Sequence, residues 1–135
     1  MKLLLQGRII YVDPAGQVTV EDLRRAGEVT THLLETHSHP CVHFIVNGAN
    51  LEDVPRHLPS IIENVRWLSH PKIGIAVIYN TDNQLIRFIV ATVSQFAGLH
   101  FRFAGSFDEA VAYLQILDET LPDLRSITTE TVQDT

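Results

Sequence analysis

The sequence predicts an α/β domain: a mostly parallel sheet of about four or five strands, an N-terminal hairpin and about four helices. Three observations carry that prediction. Cys41–Val46 and Ile73–Tyr79 are near-continuous apolar runs, as expected of central strands covered on both faces. The segments between strands repeat their apolar residues at helical spacing over about 10 to 16 residues. The order that results, β-β-α-β-α-β-α-β-α, implies parallel pairing through right-handed crossovers.

The first strand is Arg8–Val12, followed by Asp13-Pro14-Ala15-Gly16, which has the residue preferences of a type I turn. Gln17–Thr19 is expected to return as a short antiparallel partner. Thr19 and Asp22 then stand at capping-box spacing, with Asp in place of Glu. The helix they open turns Leu23, Ala26, Thr30, Leu33 and Leu34 inward and runs to about Thr36. Gly27 inside it costs about 1 kcal/mol relative to Ala, and close packing is the usual reason for such a glycine. The strand Cys41–Val46 ends at Asn47-Gly48. The stretch to Arg56 reads as a polar loop carrying Glu52, Asp53 and Pro55. Pro59 suits the first turn of the next helix, and Leu58, Ile61, Ile62, Val65 and Leu68 mark its inner face up to the stop at Pro71.

After the strand Ile73–Tyr79, Thr81 and Gln84 are expected to cap a long helix, Asp82–Ala97, which Gly98 closes. Its only charge after Asp82 is Arg87. At about 100° per residue, Leu85, Ile86, Ile89, Val90, Val93 and Phe96 span about 140°, and Phe88 widens the arc to about 200°. A helix covering a sheet needs a stripe of roughly 100°, so the excess calls for a partner or an apolar ligand. His100–Ala104 alternates, as an edge strand does. Ser106 and Glu109 open a last helix with Phe107, Ala110, Val111, Leu114 and Leu117 inward. One domain is expected over residues 1–120, with 121–135 a polar tail.

Composition narrows the function. The 135 residues are 45% hydrophobic and 19% charged, with a net charge of −6. That balance opposes nonspecific nucleic-acid binding and attraction to anionic membranes. Cys41 is the single cysteine, so no internal disulfide is available, and neither a signal peptide nor a membrane span is legible. A cytoplasmic protein without cofactor or metal is expected.

Four sets of polar residues are candidates for chemistry. His32, His37, His39 and His43 supply imidazoles suited to zinc or copper, although one lies near a helix end and another inside a strand. Asn80, Thr81, Asp82 and Asn83 stand where a helix N-terminus meets a strand's carboxyl end, a place suited to anions, but the cap and Asp82 oppose one. Glu52, Asp53, Arg56 and His57 contain acid–base groups on a loop expected to be solvated. Cys41 opens an apolar strand, where an inert thiol is expected. None amounts to a catalytic signature. The outward side of the long helix, Arg87, Phe88, Thr92 and Gln95, is the leading interaction surface, and a homodimer its simplest use. The rival is a small apolar ligand held between this helix and Ser60–Ser69.

Particular residues add a resemblance. The opening hairpin running into Val18-Thr19-Val20-Glu21-Asp22-Leu23, the strand ending at Asn47-Gly48 before an acidic loop, and Phe107-Asp108-Glu109-Ala110 in the last helix resemble the STAS family of sulfate-transporter and anti-sigma-factor-antagonist domains. Leu68–Gly74 followed by the apolar helix is closer to a divergent STAS-like branch. The resemblance covers about Arg8 to Leu117 and implies a SpoIIAA-like fold, a regulatory role through protein contacts, and small-molecule binding as a further use of that fold. Family antagonists carry Asp-Ser-Ser/Thr-Gly, whose serine is phosphorylated. The matching region here, Asn50–His57, has no hydroxyl residue, which leaves Ser60 and Thr81 as the nearest substitutes.

Overall fold

The computed structural model describes residues 2–4, 8–36, 41–121 and 133–134. Its elements in chain order are β1 (Lys2–Leu4), β2 (Ile9–Val12), β3 (Gly16–Gln17), α1 (Val20–Thr36), β4 (Val42–Asn47), β5 (Leu51–Asp53) and α2 (Leu58–Asn64). A 3₁₀ turn, Arg66–Ser69, continues α2, and β6 (Ile73–Tyr79), α3 (Gln84–Ala97), β7 (Phe101–Ala104), α4 (Phe107–Leu117) and β8 (Gln133–Asp134) follow. The main sheet has the order β7-β6-β4-β2-β1-β8, with β2, β4, β6 and β7 parallel.

Each crossover advances one position in the same direction, which places α1, α2 and α3 on one face and leaves α4 on the other. Alternation along the strands serves both faces. Ile10, Val42 and Phe44 meet Leu34 and Trp67 on the three-helix side, while Ile9, Tyr11, Ile45, Val77 and Tyr79 pack with Ala110, Val111 and Leu114 of α4. Leu121, placed by the sequence at the start of the polar tail, is buried in that second cluster, and β8 pairs with β1.

The expected N-terminal hairpin exists, but its partners differ. The antiparallel partner of β2 is β1, Leu3 opposite Ile10. Of the stretch expected to return, Gln17–Thr19, only Gln17 is in a strand, and with Gly16 of the expected turn it pairs in parallel with β5 in a separate small sheet. Gly16, at φ +70°, turns the chain away from β2, and its N–H donates to the Asn50 carbonyl at 2.9 Å. The segment expected to be a loop before α2 is therefore a short strand in its middle.

Other expectations hold in detail. Thr19 and Asp22 cap α1 reciprocally at 2.9 and 3.2 Å. Gly27 is explained by Trp67: a Cβ there would lie 2.4 Å from indole Cδ1. Gly98 ends α3 at φ 67°, and β7 is the sheet edge. Two corrections concern apolar positions. Leu117 is 51% exposed at the last turn of α4, and Leu85 and Phe96 of α3 are exposed rather than inward. The buried stripe of α3 is Ile86, Ile89, Val93 and Ser94, rotated away from Leu85 because α2 and the sheet grip the helix from one side only.

Candidate functional site

The outer face of α3 starts from its cap. Asn83, not Thr81, is the N-cap: its side-chain oxygen accepts from Leu85 N–H at 2.9 Å and Ile86 N–H at 3.2 Å. Asn outranks Thr in that role, and Thr81 is turned inward against Gly48, where a Cβ would lie 2.1 Å from its hydroxyl oxygen. The helix consequently begins at Gln84 rather than Asp82. On the side away from the sheet it presents Leu85, Phe88 and Phe96 at 43%, 64% and 73% exposure. Gln84 and Gln95 are exposed beside them, and Thr92 is half-buried, its hydroxyl donating to the Phe88 carbonyl at 2.8 Å. Arg87 is drawn off this face. Its guanidinium donates to the Thr81 carbonyl at 2.9 Å and lies 4.2 Å from the centroid of the Phe103 ring. The face is therefore apolar and uncharged.

At the carboxyl ends of the parallel strands, the turn after β6 belongs to a polar network. Asn80, in the left-handed region at φ 60°, donates to the Asn47 side-chain oxygen at 3.2 Å. Asn47 in turn donates to the Tyr11 hydroxyl at 3.2 Å, which shares a 2.7 Å bond with the Tyr79 hydroxyl. Burial and that neighbouring phenol push the Tyr79 hydroxyl well above its usual range. Thr81 is 6% exposed, and its hydroxyl has no partner among the described residues. Helix N-terminal N–H groups that an anion would use are taken by Asn83, and Thr81 is too buried for a kinase to reach without opening this turn.

The other end of the sheet holds a group the spacing of the sequence did not reveal. Arg8, Cys41, His43, Asp118 and Thr120 come together from β2's entry, β4's entry and the end of α4. His43 Nε2 lies 2.8 Å from Asp118 Oδ2 and 3.7 Å from Cys41 Sγ. Arg8 donates to the same Asp118 oxygen at 3.1 Å, to Thr120 at 2.9 Å and to the Cys41 carbonyl at 2.9 Å. Burial works to raise the Asp118 carboxyl, but hydrogen bonds from the Thr120 hydroxyl, His43 and the Thr120 N–H outweigh it and hold it at about 2. Donor atoms of Cys41, His43 and Asp118 lie within 4.8 Å of one another, and their types suit zinc.

The tautomer argues against both a metal and a nucleophile here. His43 Nδ1 accepts the Ile75 N–H at 3.1 Å, an approach made possible by Gly74, whose Cβ would lie 2.3 Å from the ring. The proton must then sit on Nε2 and point to Asp118. A metal on Nε2 would leave lone pairs on both nitrogens, an imidazolate, whereas ligating histidines donate from their second nitrogen. The same proton denies Cys41 a base, and burial, followed by the Asp118 charge, raises its thiol. The cluster is a structural tie between strand ends and α4.

Among the described residues, the remaining sequence candidates do not come together. His32 is exposed on α1, on the opposite side of the sheet from His43, and His37 and His39 lie outside the described residues. Asp53 accepts from Val54 N–H and faces Arg56, while His57 Nδ1 bonds Ser60 Oγ at 2.7 Å. Signals for the His43–Asp118 contact were absent because 75 residues separate the partners.

No family model and no curated protein sequence matches this chain. Among solved structures it is similar to an uncharacterised protein of the DUF3478 family with a SpoIIAA-like fold from Shewanella loihica PV-4. Identity is 15%, with 76% of this chain and 80% of that chain covered at a TM-score of 0.54. At that identity the likeness is one of fold. The chain has a SpoIIAA-like α/β fold, in agreement with the divergent STAS-like resemblance of its sequence. Among the described residues, no helix is long and apolar enough to cross a membrane.

Proposed function

We propose that this chain is a non-enzymatic, STAS-like interaction module that self-associates through the outer face of α3. One observation carries the reading: Leu85, Phe88 and Phe96 stand exposed on one side of a helix whose other side is core. Contiguous exposed apolar surface of this kind marks an interaction site. A second copy is the occupant favoured by charge. In a two-fold interface the same patch meets itself, so any charge on it would face its own copy. This chain carries a net −6, yet Gln84, Leu85, Phe88, Thr92, Gln95 and Phe96 bear none. The seam proposed for an apolar ligand, between α2 and α3, is filled by Ile61, Val65, Ile89 and Val93, which supports the contact reading over the carrier.

Sedimentation equilibrium tests it. The wild-type chain is expected to show a concentration-dependent dimer with a dissociation constant on the order of micromolar. Phe88→Glu places two like charges in the interface and is expected to leave a folded monomer. A wild-type chain that stays monomeric at about 100 µM overturns the reading, and a monomer that carries lipid in native mass spectrometry replaces it with the carrier.

A further inference from the structure

A second surface lies on α1, and it is of the opposite character. Arg24, Gly27, Glu28, Thr31, His32 and Glu35 fall on one continuous side of α1 and, with Glu63, Asn64 and Trp67 across from them, line an open groove. From Arg24 to Glu35 the groove runs three turns, about 16 Å. The indole of Trp67 lines it against Gly27, toward the Arg24 end. The ring is fixed by three contacts: Nε1 donates to the Asn64 carbonyl at 2.8 Å, Phe44 lies 5.9 Å away centroid to centroid, and Gly27 lets the α1 backbone approach. Acidic side chains rise from both walls. Glu28 is paired with Arg24, whereas Glu35 and Glu63 make no ion pair among the described residues.

We propose that this groove docks a basic segment of a partner protein, with one Arg or Lys side chain at Trp67 beside Glu63 and a second basic residue of the segment at Glu35. Charge selects the partner: the lining has three carboxylates against one guanidinium. Indole is the best aromatic surface for a cation, and a fixed ring spares the ordering cost of binding. Length selects a segment over a small cation, because 16 Å holds about five extended residues at roughly 3.3 Å each. A second copy of this acidic chain is disfavoured here, so the proposal is independent of the α3 dimer.

Trp67 is the only tryptophan, and its emission reports the groove directly. Tetra-arginine amide is titrated into the full chain at low salt, with tetraglutamate as the opposite-charge control. The expected result is a saturable change in Trp67 emission that weakens as salt is raised. The Glu35→Gln/Glu63→Gln pair is expected to weaken it about tenfold. Asp108→Asn/Glu119→Gln removes the same charge from the α4 side and is expected to shift it less than twofold. No saturable change in the wild-type chain overturns the proposal. So do equal losses in the two double variants, which would show attraction to net charge alone.

Discussion

Helices α1 and α3 cover the same face of the sheet on either side of α2, yet their outer sides follow opposite rules. On α1, Arg24 pairs with both Glu21 and Glu28, and Arg25 lies 3.5 Å from Glu21. Such i,i+3 and i,i+4 ladders are satisfied within the helix and remain solvated. Val29 is the only large apolar residue exposed on it. On α3 nothing charged faces outward, and the single cation, Arg87, is held inward by Thr81 and Phe103. Their inner sides differ as well. α3 packs with branched aliphatic side chains, whereas α1 packs backbone against indole at Gly27. The lesson is that two helices in one layer can present opposite outer surfaces: charge on one, bare apolar surface on the other.

The largest effect that can break this comparison is on assembly. Phe88→Glu is expected to weaken the dimer about a hundredfold by sedimentation, while Val29→Glu on α1 leaves the mass distribution unchanged. If both variants dissociate the dimer equally, the contrast between the helices fails. The inner sides give the next effect. Gly27→Val gains a few tenths of a kcal/mol of helix propensity but drives a methyl into Trp67, and overpacking costs about 1–3 kcal/mol. The steric cost wins, so a net loss of about 2 kcal/mol is expected in urea denaturation followed by Trp67 emission.

A smaller effect concerns the tie beneath the sheet. Asp118 is held at about 2, below the usual carboxylate value of about 4. A depressed pKa contributes stability that is complete above the unfolded value and is lost as pH falls through the folded one. Wild-type stability is expected to decline between pH 4 and pH 2, and Asp118→Asn should be less stable at pH 7 with a shallower slope across that window in thermal melts. An unchanged slope would sever Asp118 from acid unfolding. The smallest effect has the opposite sign. Thr81 buries a hydroxyl that has no partner among the described residues, so the near-isosteric Thr81→Val should stabilise the chain by about 1 kcal/mol. A clear loss would reveal a partner for that hydroxyl.

Local physics made much of this fold legible. Periodicity placed α1, α2, α3 and α4, continuous apolar runs placed β4 and β6, and Thr19, Ser106 and Gly98 marked helix ends, because each signal lies within a few residues of what it specifies. Exposure of Phe88 followed from its angle on the helix. Exposure of Leu85 and Phe96 did not, since the sequence does not say from which side α2 approaches. Pairing was the main failure: Gln17–Thr19 has an adequate turn before it, and only the arrival of Leu51–Asp53 decides that Gly16 and Gln17 pair with β5 in parallel.

By itself, then, the sequence determined the α/β alternation, the apolar excess of α3 and the lack of any hydroxyl residue between Asn50 and His57. Tertiary structure decided which apolar residues of α3 stay bare, that Asn83 caps it, and that His43 meets Asp118. The reason is range. Helix angle, capping and composition depend on neighbours along the chain, whereas burial, tautomer and ion pairing depend on groups that only folding brings within a few ångströms.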